Sequence, residues 1–398
     1  MVLTSFLRRR SEDYINIGSM TGFYIDLIFS YFTKKQKPRR LLILSASGGG
    51  NSAGLSYSFY HYRKTIRQKF GIHIFMRNSN DLIAKLDDVK NTNAELILLS
   101  PPLRNDEGQI YPKAEIKDFV DKIDAAKLSK IIFFAPSDDP ISPYFELLDK
   151  VKLFLTQFRF ADEENYFREV KGANIFAEFI SDFYKLDPIK ENEFDYGMFG
   201  SIPDKKHLHK LAFIWSFSFW RRLITLQEKY KHSPINSERP IDVNCRFKEY
   251  SGWCRKHRLE VKRSIDALSD QYTCIATPHK IPENQYFEEL KKSKILVSPF
   301  GWGAVCPKDF EAMIFECLLI KPSMDHLEME PNVFIPFETY VPVKWDLSDL
   351  NEKIEYYLQH PEERQRIIQN AKKQYLKLNN VNTFEHILGN MILSFDQA

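Results

Sequence analysis

SPFGWGAVCPKDFEAMIFECLLIKP, residues 298–322, carries more structural information than any other run of this chain. The four residues before it, KILV at 294–297, read as a short buried strand. Gly301 and Gly303 then let the backbone turn sharply, with no side chain in the way of an approaching group. Pro307 follows, and proline is favoured at the first position of a helix. Phe310, Met313, Ile314 and Cys317 recur at helical spacing, and Leu318, Leu319 and Ile320 form a second short apolar run. The unit is strand, glycine loop, helix, strand. Its loop aims backbone N–H groups and the positive end of the helix dipole at one point, which makes an anion site. Lys308 stands beside that point. Glu311, one turn into the helix, lies off the apolar stripe and by spacing faces the same crevice.

A phosphate site beside a carboxylate that grips hydroxyls suits a sugar nucleotide. The same residues also fit an ordinary strand–helix–strand crossover with a solvated glutamate. The stretch resembles the donor-binding signature of two-domain GT-B glycosyltransferases, and within them the exostosin-type pattern. The residues that carry the resemblance are Ser298, Pro299, Gly301, Gly303, Lys308, Phe310, Glu311 and Ala312, and it is strongest over residues 286–349. The chain has Pro307-Lys308 where that pattern usually has arginine, and Gly303 where many retaining enzymes have a second glutamate. The resemblance implies that Glu311 holds ribose or sugar hydroxyls of a nucleotide-sugar donor.

A length of 398 residues suggests two or three domains, and 43% apolar residues supply their cores. The net charge of +3 gives no bulk electrostatic pointer to nucleic acid. Five cysteines, an odd number without a C-x-x-C pair, read as reduced thiols of a cytoplasmic protein. There is no Asp-x-Asp to recruit a divalent ion, so no metal or other cofactor is expected, and basic residues and helix dipoles must hold the diphosphate. Arg8 to Arg10 and the basic run 34–40 flank an aromatic stretch, 23–32, too short to span a bilayer. It reads as a packed first helix, or as a surface helix in peripheral contact with anionic lipid on the inner face of the membrane.

Residues 41–44 read as a strand, and SASGGGNSAG at 45–54 as the glycine loop that follows it. Helical spacing at Leu55, Phe59, Tyr62 and Ile66 completes a Rossmann-like opening. No Gly-Lys-Ser/Thr closes the loop, so it is not a P-loop, and no dinucleotide fingerprint is complete. Gly49, Gly50, Asn51 and Ser52 are candidates for cradling an acceptor or a phosphate. Further strands are expected at 72–76, 96–100, 130–135 and 151–158, alternating with helices, which argues for a parallel sheet. Asp139, beyond the strand at 130–135, is the candidate base for an acceptor hydroxyl. In the second half, strands are expected at 240–245, 272–276, 318–320 and 340–345. Arg246 and Arg258 are candidates for a diphosphate, and His326 and Glu328, in DHLEMEPN at 325–332, for other donor contacts.

The expected fold class is α/β of the GT-B kind, two Rossmann-like domains whose parallel sheets face each other across a cleft. The expected divisions are a helical and basic segment at 1–40, an acceptor domain at 41–195, a donor domain at 196–375, and a helix at 376–398 crossing back to the first domain. The expected activity is transfer of a sugar from a nucleotide sugar to a glycan or lipid-linked acceptor in surface polysaccharide synthesis. A sugar-nucleotide epimerase on the same scaffold, or a partner-binding protein without catalysis, are the alternatives.

Overall fold

The structure is a computed structural model that describes residues 38–47, 51–135, 137, 139–171, 174–186, 201–215, 220–232 and 238–398. The basic and aromatic segments before residue 38, and Gly49 and Gly50, lie outside them.

The amino-terminal half forms β1 (Arg39–Ser45), β2 (Ile72–Asn78), β3 (Leu96–Leu99), β4 (Ile131–Phe134), β5 (Leu153–Thr156), β6 (Phe158–Phe160) and β7 (Leu211–Phe213). Six of these pair in parallel in the order β2-β1-β3-β4-β5-β7. The central strands read LILL, IIFF and LFLT, and every residue in them is buried. Continuous apolar runs of this kind mark a sheet covered by helices on both faces. The carboxyl-terminal half forms β8 (Ile241–Arg246), β9 (Cys274–Thr277), β10 (Ser293–Val297), β11 (Leu318–Pro322), β12 (Leu327–Met329) and β13 (Val341–Val343). Five of them make a second parallel sheet, in the order β13-β11-β10-β8-β9. The chain is thus an α/β protein of two Rossmann-like parallel sheets, the GT-B layout.

The first sheet does not end at residue 195. β7 pairs with β5 and extends it to Phe213. A three-residue strand inside an aromatic run gives no periodicity to read. The run at 151–158 is also not one strand. It breaks at Gln157 into β5, which stays in the sheet, and β6, which leaves it.

β6 pairs with β12 in an antiparallel ribbon, Phe158 opposite Met329 and Phe160 opposite Leu327. That ribbon joins the two halves. A second joint is the helix Val381–Gln397, whose Phe384, Ile387, Leu388 and Met391 pack with Leu41, Ile43 and Phe59 in the core of the first sheet. Asp396 there meets Arg39 of β1 at 2.9 Å. At the carboxyl edges of the sheets, Asn174 binds both the segment after β4 and the loop after β10. Its Nδ2 donates to Asp139 Oδ2 at 2.7 Å and to Trp302 O at 2.8 Å. The two carboxyl edges therefore face each other. Among the described residues no helix is long and apolar enough to cross a membrane.

Candidate functional site

In the second sheet the strand order reverses between β8 and β10. Ligands of open parallel sheets bind beyond the carboxyl ends of the strands at such a switch point. The loop leaving β10 is the glycine loop, and it runs directly into the helix Pro307–Ile314, whose first residue is proline. Asp309, in the first turn, ties loop and helix together. Its Oδ1 accepts from Ser298 Oγ at 2.6 Å, and its Oδ2 accepts from the Cys306 N–H at 3.0 Å. Lys321 of β11 donates to Asp309 Oδ2 at 2.5 Å and to Ala304 O at 2.6 Å. Both charges are buried, at 1% and 0% side-chain exposure. A buried pair persists only when its remaining hydrogen bonds are met, and here they are. Ser298 is therefore a structural tie of the loop and offers no hydroxyl to a ligand.

Arg258 lies on the helix Gly252–Asp266 and is 8% exposed. Its Nε donates to Phe300 O at 3.0 Å and its Nη1 to Lys248 O at 2.5 Å, so one guanidinium spans the two loops of the switch point. Its Nη2 rests on Gly301, where a Cβ would come within 2.7 Å. A side chain at 301 would push that end of the guanidinium aside. Lys308 donates to the carbonyl of Arg246 at the end of β8. Gly303 accepts from the Gly301 N–H at 3.1 Å and closes the turn. The structure brings Arg258, Lys308, Gly301, Gly303 and the helix N-terminus together at the switch point.

Arg246 does not join them. It makes a bidentate pair with Glu289, at 2.6 and 2.8 Å, and its Nη1 donates to His279 O at 2.8 Å. With all three nitrogens occupied, the guanidinium has no fork left for a diphosphate. Glu328 is also displaced from its expected place. It sits on β12 in the ribbon opposite Arg159, with its side chain exposed. DHLEMEPN is a stitch between the halves, and no free donor loop. His326 lies at the start of that stitch. Its ring stands edge-on to Trp345, 5.0 Å between centroids, and 6.2 Å from Phe300. Burial holds its pKa down at about 4, so the ring is neutral.

Glu311 is buried, at 1% exposure, which sets aside the alternative of a solvated glutamate. All residues from Asp309 to Ile314 are buried, so this helix has no solvent face against which to read a stripe. Arg222, on the helix Arg221–Tyr230, reaches Glu311 Oε1 at 2.6 Å and Glu283 Oε1 at 3.1 Å. Burial raises the pKa of Glu311, while Arg222 and the nearby Tyr286 hydroxyl pull it back down. Asp139, 7% exposed, lies one residue from the glycine loop through Asn174. Asn51 opens the helix Asn51–His61 after β1, with Ser52 behind it. The side chains of these two residues lie outside the described part.

Arg222, Tyr286, Asn174 and Lys321 have no place in a reading of the sequence alone. Lys321 left one trace, a single charge inside the strand LLIKP. The other three are distant in sequence and belong to no motif.

Residues 270–389, which include the glycine loop and Glu311, match the family described as Glycosyl transferase-like. No curated protein sequence matches the chain. Among solved structures it is similar to a glycosyltransferase from Rickettsia africae ESF-5, at 12% identity over 91% of this chain and 99% of that one, with a TM-score of 0.48. It is similar to an alpha,alpha-trehalose-phosphate synthase (UDP-forming) from Burkholderia vietnamiensis, at 8% identity over 92% and 100%, with a TM-score of 0.44. It also matches the C-terminal domain of a glycosyl transferase group 1 family protein, LpcC, from Francisella tularensis, at 16% identity over 32% of this chain, with a TM-score of 0.23, and spans 64% of that domain. Over residues 270–389 the sequence is glycosyltransferase-like, and the segment carries the switch-point loop of the second parallel sheet.

Proposed function

We propose that the protein is a glycosyltransferase that moves a sugar from a nucleotide sugar to a hydroxyl of a glycan or lipid-linked acceptor, in surface polysaccharide synthesis. The observation that carries this reading is the convergence of Gly301, Arg258, Lys308 and the N-terminus of the Pro307 helix at the β8/β10 switch point. A diphosphate needs positive partners and close backbone approach, and these residues supply both. By its motif residues the second domain is exostosin-like. The acceptor oxygen attacks the anomeric carbon, and the bond from that carbon to the nucleotide phosphate breaks. The departing phosphate takes the electron pair beside Arg258, Lys308 and the helix dipole. If the reaction inverts the anomeric centre, Asp139 receives the acceptor proton. No divalent ion takes part in this scheme.

The test is a thermal-shift screen with UDP, GDP, ADP and CMP, each with and without chelator. One nucleotide is expected to stabilise the protein equally in both, by about 2.7 kcal/mol at a hundredfold excess over its Kd. No shift with any of them rejects a donor site. A shift seen only with Mn²⁺ or Mg²⁺ rejects the metal-free scheme.

A further inference from the structure

Residues 27–80 hold ten lysines and arginines and no aspartate or glutamate, in a chain whose net charge is +3. Four of these cations find acidic partners in the fold. Arg39 pairs with Asp396, Arg40 with Glu95, Lys69 with Glu385 and Arg77 with Asp88. Arg63 and Lys64 are exposed and meet no carboxylate among the described residues. They open the helix Arg63–Phe70, RKTIRQKF, in which Ile66 alone is buried. Cations in a first turn oppose the helix dipole, and Arg63 and Arg67 repel each other at i,i+4. Helix stability therefore does not account for this pattern, whereas an anionic surface outside the helix does.

Aromatic rings interleave with the cations. The Arg63 guanidinium lies over the Tyr60 ring, 4.3 Å from its centroid, and that of Arg221 over Tyr57 at 6.0 Å. Tyr57 stacks on His61 at 5.8 Å, and both tyrosines are half-buried. Glu228 acts electrostatically on His61 and Tyr62 and is itself paired with Lys231 at 2.7 Å. Rings with an apolar body and a polar tip gather at the headgroup level of a bilayer, where anionic lipid attracts Lys and Arg. The described chain begins next to this helix, since the Arg39 N–H donates to the carbonyl of Gly71, the helix's C-cap. Lys34, Lys35 and Lys37 directly precede that point in sequence, and FYIDLIFSYF, 23–32, precedes them. Ile25, Leu27 and Ile28 suit acyl chains and give a nucleic acid nothing to pair with. The helix Asn51–His61 starts beyond the carboxyl end of β1 and is about 16 Å long, so a bilayer at its far end lies one helix length from the facing sheet edges.

We propose that the face made by Tyr57, Tyr60, Arg63, Lys64 and Arg221 docks on an anionic lipid surface. The proposal does not depend on the nucleotide site.

The experiment is flotation of the full chain with vesicles of phosphatidylcholine alone, or of phosphatidylcholine with one-quarter phosphatidylglycerol. Wild type is expected to float with the anionic vesicles only, and to come off as added salt screens the attraction. Arg63→Glu/Lys64→Glu is expected to lower the partition coefficient tenfold or more. The control, Lys117→Glu/Lys122→Glu, makes the same change of charge at exposed positions on the opposite face of the first sheet, and is expected to bind nearly as wild type does. Intact melts establish that each variant folds. Three results overturn the proposal. Equal losses in the two double variants would mean that total charge, and no particular face, draws the protein to lipid. Undiminished flotation of Arg63→Glu/Lys64→Glu would put the attachment elsewhere in the chain. A wild type that stays off anionic vesicles, yet retains a labelled RNA that Arg63→Glu/Lys64→Glu releases, would give the face to nucleic acid.

Discussion

The imidazole of His257 is fully buried, edge-on to Phe176 at 4.9 Å, and neither ring nitrogen has a hydrogen-bond partner among the described residues. Burial, with the Arg258 charge beside it, lowers its pKa to about 3. In an unfolded chain the ring titrates near 6.5. Between those values the unfolded state binds a proton that the folded state refuses, so stability is lost as the pH falls below about 6.5. One such group costs about 2 kcal/mol at pH 5. His257→Leu is expected to flatten this acid limb, with a smaller drop in the urea midpoint between pH 7 and pH 5 than the wild type shows. Identical drops would mean the ring is not the group responsible. Single residues were also the least legible level of the sequence. The spacing of Glu311 put it off a stripe, but a stripe has meaning only for a helix with a wet side, and three helices meet around this carboxylate. Arg246 looked like a phosphate ligand until Glu289, forty-three positions away, took both arms of its fork.

Elements were easier to read, because each leaves a local pattern. Strand, glycine loop, helix and strand at 293–322 are where the run SPFGWGAVCPKDFEAMIFECLLIKP puts them. The same is true of β1, β3 and β4, whose apolar runs are continuous. The failures were short elements, β6, β7 and β12, three residues each, below the length at which alternation can be counted. What holds the glycine loop was hidden for another reason, since the Lys321–Asp309 pair joins two elements that each look self-sufficient. Lys321→Met should leave Asp309 as a lone buried charge and cost roughly 3–5 kcal/mol. Adding Asp309→Asn should return a large part of that loss, with its Oδ1 accepting from the Cys306 N–H and its Nδ2 donating to Ser298 Oγ. Thermal melts of both single variants and the double variant check this. Additive losses would mean the two side chains are not coupled.

The whole molecule is stitched more firmly than two domains joined by one hinge. The β6–β12 ribbon, the bridge through Asn174 and the helix Val381–Gln397 each cross between the halves. Leu327 and Met329 of the ribbon are buried in one cluster with Phe158, Phe176 and Trp253. Calorimetry of the wild type is therefore expected to show a single unfolding transition. Leu327→Asp places a charge in that seam and is expected to split the transition in two. Two transitions in the wild type would show that the stitches carry little energy.

The path of the chain has a consequence for how the protein is made. β1 is the first strand described, yet the cluster that buries Leu41 and Ile43 is completed by the helix Val381–Gln397. At about 5–20 residues per second, a ribosome needs roughly 20–70 s to get from one to the other. For that interval one face of the first sheet lacks part of its cover, and the half that is synthesised first is the half that is completed last. Nascent chains of this protein should bind a holding chaperone until the final helix emerges, and let go when it docks.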